Sequence, residues 1–222
     1  MGRRKTALRN KILKKAHALF SEKGYEQTSV NGIIKSLGVS KGAFYHYFNS
    51  KDEVLDAIIM DYTNEVVEML NKIAYDPNLN ALEKYRKMFS ETQAKRRANS
   101  ERFTFLAKML LSEENLLFRH RYTEKILELT KPPFTQMLKQ GVQEGHFIIN
   151  NPEETTELIM RFGNIYRTKI AILMMGIKEQ PNNLLKIQNI IEFMQDVVER
   201  MLGLDSGTLD FISEEFRTGI GS

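Results

Sequence analysis

The 222-residue sequence contains no cysteine and no tryptophan. Without thiols there is no zinc–thiolate site, iron–sulfur cluster, cysteine nucleophile or disulfide, and no argument for an oxidising compartment. Five prolines and thirteen glycines are too few for a loop-rich all-β chain and fit a helical one. No apolar run reaches the roughly 18 residues that a membrane-spanning helix needs. The basic start, Met1-Gly2-Arg3-Arg4-Lys5, is not followed by an apolar signal core, so the cytoplasm is the expected location. Histidine is sparse as well: His17, His46, His120 and His146 have no ligand spacing. No phosphate-binding loop, nucleophile elbow or HExxH pattern occurs. Hence neither a catalytic residue, nor a metal, nor a cofactor is expected.

What is present is unevenly placed. The composition is ordinary for a globular chain, 42% hydrophobic and 27% charged, and the net charge is only +4. Residues 1–51, however, hold eleven Lys or Arg against Glu22 and Glu26 alone, and so carry +9. The remaining 171 residues carry −5. A basic head on a mildly acidic body fits a polyanion partner, either nucleic acid or an anionic membrane surface. A solvated basic helix face accounts for the same charges.

The hydrophobic period is helical nearly throughout, with no convincing strand and no repeat. Thr6 is placed to cap a first helix with Leu8, Ile12, Ala16, Leu19 and Phe20 on one stripe, stopped at Gly24. Thr28-Ser29 precedes a short helix over 30–37 that Gly38 ends, and Ser40 caps a second over 41–47. Ser50-Lys51-Asp52-Glu53 reads as a capping box that opens a long helix to about residue 74. Asn80 to Glu83 is a similar start. Further helices are expected near 101–111 and 113–144, the latter broken or kinked at Pro132-Pro133. Asn151-Pro152 and Gly203 bracket the last two long helices, and 204–222 is a short tail.

Two short helices joined by Gly38-Val39 form a helix-turn-helix. A helix about 10–12 Å across fits a major groove about 12 Å wide. Alone, this shape is common in helical proteins. The residues sharpen it. Ala18-Leu19-Phe20-Ser21-Glu22-Lys23-Gly24-Tyr25, Thr28-Ser29-Val30, Ile33, Leu37 to Gly42, Phe44 to Phe48 and Ser50 to Leu55 together resemble the DNA-binding domain of the tetracycline-repressor (TetR) family. Gly32 stands where that family usually has an acid, and Ile34 where it usually has a small residue.

The resemblance implies an all-α protein of about nine helices. It comprises an N-terminal three-helix helix-turn-helix domain (1–50) and a larger helical effector-binding and dimerisation domain (51–222), with helix 51–74 as connector. It also implies a DNA-binding regulator, most often a repressor released from a pseudo-palindromic operator by a small molecule. Thr28, Ser29 and Lys51 resemble phosphate-contacting positions. Ser40, Lys41, Gly42 and Ala43 resemble groove-entering positions, and Tyr45 and His46 backbone and base-edge contacts. Ser40 also fits a plain N-cap, Tyr45 a packing role and His46 a surface position.

For the body, the apolar residues of the last two helices cover more than one face, which suits a homodimer interface. Phe162, Gly163, Tyr166, Ile170, Ile190, Met194, Val197 and Met201 are its candidates. The ligand cavity that the family implies could be lined by Met88, Phe103, Met109, Phe134, Met137, Met160 and Tyr166, although such residues are equally at home in an ordinary core. Lys95-Arg96-Arg97 and Arg119-His120-Arg121 fit either an anionic ligand or solvent. The competing function, a helical membrane-surface or non-specific polyanion-binding protein, would use the basic first helix.

Overall fold

In the computed structural model five helices, those starting at residues 30, 41, 51, 81 and 152, open on a capping side chain. The structure describes residues 2–211, apart from the side chains of residues 2–6, 96, 97, 100–103 and 105. Within α2 (Val30–Leu37), Ser29 accepts a hydrogen bond from the Gly32 amide at 3.0 Å. Gly38, at φ 65°, takes the left-handed turn that ends the helix and favours glycine. In α3 (Lys41–Tyr45) Ser40 accepts from the Ala43 amide at 3.1 Å. This helix stops short of Tyr47 because the Tyr47 amide bonds to Phe44 rather than Ala43, tightening the last turn.

α4 (Lys51–Ala74) opens on Ser50, which accepts from the Glu53 amide at 3.0 Å. The Glu53 carboxylate reaches back to the Asn49 amide, one residue earlier than a standard box. α5 (Ala81–Ala98) carries the complete box of Asn80 and Glu83. α6 (Ser100–Leu111) leads through one 3-10 turn, Glu113–Asn115, into α7 (Leu116–Gln143). Asn151 caps α8 (Pro152–Met175), and Gly203 closes α9 (Asn183–Leu202).

Two expectations fail locally. α1 (Gly2–Lys23) begins ahead of Thr6. α7 runs unbroken through Pro132 and Pro133. Buried residues flank the prolines on both sides, Leu127 and Thr130 before and Met137 and Leu138 after, and the Thr130 hydroxyl donates to the Ile126 carbonyl at 2.6 Å. Packing therefore holds the helix across two missing amide donors.

The chain divides into two compact units. The first comprises Met1–Asn64 and Phe105–Lys125, and the second Glu65–Thr104 and Ile126–Ser222. The first unit includes the start of α4 because Val54, Leu55, Ile58 and Ile59 are buried, as are Ile12, Ala16, Phe20, Ile33 and Phe44. Ile12, Ala16 and Phe20 of the α1 stripe are thus internal, with Leu8 and Leu19 half-buried beside them. Ile34 is buried too, so the larger side chain at that position is accommodated.

The second unit is built on Leu70, Ile73, Tyr85, Met88, Met137, Leu138, Val198 and Leu202. Its C-terminal segment is not a loose tail as far as residue 211: Phe211 stacks on Phe89 at 4.5 Å and Leu209 is buried. The buried Glu199 carboxylate organises this turn by accepting from the Gly207 and Leu209 amides at 2.9 and 2.7 Å. Among the described residues all regular structure is helical, and no helix is long and apolar enough to cross a membrane.

Candidate nucleic-acid interface

α1 packs on α2 and α2 on α3, which leaves one face of α3 outward. Phe44 is fully buried and anchors α3. Its neighbours on the helix face solvent: Ser40, Lys41, Gly42, Tyr45 and His46 are exposed, with Tyr45 at 49% of its surface. Ala43 is half-buried. Tyr45 meets Phe44 edge-on at 5.5 Å, and His46 meets Tyr47 at 4.9 Å, so both rings are oriented rather than loose. A Cβ added to Gly42 would find no atom within 4 Å, so nothing inside the chain demands glycine there. Arg9, Lys11, Lys14, Lys23, Lys35 and Lys41 are exposed on the same unit and supply its positive field.

Two of the expected contact residues, Thr28 and Lys51, are not freely exposed. Thr28 is buried, and its hydroxyl donates to the Gly24 carbonyl at 2.8 Å, which removes it from any outer surface. The adjacent Ser29 is exposed. Lys51 is half-buried: its ammonium donates to the Tyr25 carbonyl at 2.7 Å and lies 4.1 Å from the centre of the Tyr25 ring. Beside it, the Tyr25 hydroxyl donates to the Asp52 carboxylate, whose other oxygen meets Arg121 at 3.1 Å. The Tyr25 hydrogen bond is the main reason the Asp52 carboxyl is held below its usual range, with Arg121 adding to it. Burial, reinforced by Asp52, pushes the Tyr25 hydroxyl up. Asn115 and Arg121 carried no signal that ties them to this region, whereas Asp52 lies in the stretch Ser50 to Leu55 that resembles the DNA-binding domain.

Residues 12–58 match the family described as "Bacterial regulatory proteins, tetR family". That N-terminal stretch carries a TetR-family DNA-binding domain. Among the chain's curated relatives is the HTH-type transcriptional repressor KstR2 of Mycobacterium tuberculosis, 27% identical over 157 residues, 69% of this chain and 74% of that one. Another is the biofilm operon negative regulator IcaR of Staphylococcus aureus, 33% identical over 78 residues, 34% of this chain and 41% of that one. The TetR fold is shared with FadR from Bacillus subtilis, solved in complex with stearoyl-CoA, at a TM-score of 0.56. That likeness covers 86% of this chain and 96% of FadR at 20% identity.

The body residues sort as follows. Met88 and Met137 are fully buried members of the second unit's core, and Phe134 packs against it. Met160 and Tyr166 are half-buried. Met109 is buried and belongs to the first unit, and the Phe103 side chain lies outside the described residues. The dimer candidates Phe162, Gly163, Tyr166, Ile170, Ile190, Met194, Val197 and Met201 are all half-buried on α8 and α9. Around them Leu158, Ile165, Ile172 and Phe193 are exposed, Ile165 by 67%. Phe162, Tyr166 and Phe193 form one aromatic group with ring centres 5.1–6.1 Å apart. A Cβ at Gly163 would meet nothing within 4 Å.

Proposed function

We propose that this protein is a dimeric, sequence-specific DNA-binding repressor, released from a pseudo-palindromic operator by a small-molecule effector. The observation that carries the reading is the outward face of α3. Ser40, Lys41, Gly42, Tyr45 and His46 stand exposed on a buried Phe44 anchor, in a unit rich in exposed lysine and arginine. In this reading α3 enters the major groove, Lys41 meets phosphate, and Tyr45 and His46 read the backbone and base edges. Ser29 and Lys51 add phosphate contacts, and Thr28 does not.

One such head reads few base pairs, so two are needed on half-sites about one helical turn apart or a multiple of it. The exposed Leu158, Ile165, Ile172 and Phe193, together with the open space at Gly163, support pairing of α8 and α9 with those of a second copy. The effector acts by favouring a state of the dimer whose heads no longer match one DNA face. Phe134, Met160 and Tyr166 are the half-buried candidates for its pocket, while Met88 and Met137 read as core. The ligand-bound FadR relative supports effector control. Selection of bound duplexes from random DNA tests the function. Retention of an inverted-repeat sequence is expected, and no enrichment over many rounds refutes it.

A further inference from the structure

The turn that leads into α2 is gripped from outside the helix-turn-helix. Gly24, at φ +85°, stands so close to the 3-10 turn before α7 that an added Cβ would lie 2.8 Å from the Glu114 Cβ. The next amide, that of Tyr25, donates to the Asn115 side chain at 2.8 Å, and both residues are almost wholly buried. The Tyr25 hydroxyl is held by Asp52, and Asp52 by Arg121 on α7 at 3.1 Å. Tyr25 in turn supplies the carbonyl and the ring face against which the Lys51 ammonium rests. A lysine ammonium has three protons and a flexible stem, and with the Tyr25 and Glu26 carbonyls accepting at 2.7 and 3.5 Å the turn decides where the remaining proton points.

We propose that Asn115 and Arg121 are positioning residues for DNA binding, acting through Tyr25 and Asp52 to hold the Lys51 ammonium in the orientation that takes a phosphate. The proposal rests on the DNA-binding reading above. It gives the segment after α6 a part in DNA affinity without a DNA contact of its own. A half-exposed ion pair such as Arg121–Asp52 adds little to global stability, so its loss can be read on DNA binding in a folded protein.

The experiment is a double-mutant cycle on the full chain, with the duplex that the wild type selects from random DNA as probe. Arg121→Ala weakens binding several-fold and lowers the salt slope by about one phosphate, as Lys51→Ala does. The Arg121→Ala, Lys51→Ala pair is no weaker than Lys51→Ala alone, and Arg121→Lys restores binding. Melting temperatures stay near that of the wild type throughout. Unchanged binding by Arg121→Ala overturns the inference while leaving the function intact. So do additive losses in the double variant, because Arg121 would then act independently of Lys51. A wild type that selects no duplex overturns the function, and this inference with it.

Discussion

Replacing Gly42 by alanine separates what the fold needs from what the DNA needs. Gly42 is the second residue of α3, its φ is ordinary, and the position of a new methyl is open to at least 4 Å. Alanine is the better helix former by up to about 1 kcal/mol, and part of that gain comes from restricting the unfolded chain. For a chain of this length 1 kcal/mol corresponds to about 2–4 °C in melting temperature. Gly42→Ala therefore melts at the wild-type temperature or a few degrees above it. If the α3 backbone approaches the sugar-phosphate chain closely at this point, the methyl occupies the contact. DNA affinity then falls at least tenfold, about 1.4 kcal/mol. Calorimetric melting and a gel-shift titration on the same preparation measure both. Full affinity with raised stability would refute the close approach. A lowered melting temperature would refute the packing argument.

Three further outcomes follow from other parts of the chain. Glu199→Ala removes the acceptor of two amides, one of them buried, and lowers stability by about 2–4 kcal/mol, measured by urea unfolding, while Glu199→Gln costs less. Ile165→Asp places a carboxylate on the exposed apolar stripe of α8, so sedimentation shows monomer where the wild type shows dimer, with helical content unchanged. Asp52 is held below its usual range, so its contribution to stability is complete above the unfolded carboxyl value, about 4, and is lost as pH falls through the lower folded value. The difference in melting temperature between wild type and Asp52→Asn is therefore constant from neutral pH to about pH 5 and shrinks in stronger acid.

Local signals in the sequence carried far. Ser29, Ser40, Ser50, Asn80 and Asn151 each mark a helix start, because a cap and the amide it satisfies lie three residues apart. The exposed face of α3 was legible for the same reason, since Phe44 and Phe48 fix which side is inward. Contacts across long separations were not. The Tyr25 amide and Asn115 are 90 residues apart, and no composition or period links them. The inward turn of Lys51 depends on that contact's neighbour, Tyr25. Thr28 and Ser29 are indistinguishable as adjacent hydroxyl residues until the turn places one inside. Pro132 and Pro133 show the limit of a local rule where burial on both sides opposes it. The packing of Leu209 and Phe211 was hidden because a Gly- and Ser-punctuated stretch looks like a free end.

The central claim is that α3 reads DNA, and the most direct measurement compares wild type with Lys41→Ala and Tyr45→Ala on a selected duplex across a salt series. The wild type should bind with log affinity falling linearly in log salt. Lys41→Ala should lose affinity on every sequence and lower the slope by about one. Tyr45→Ala should lose affinity without unfolding. Wild-type affinity and an unchanged slope in both folded variants would contradict the account.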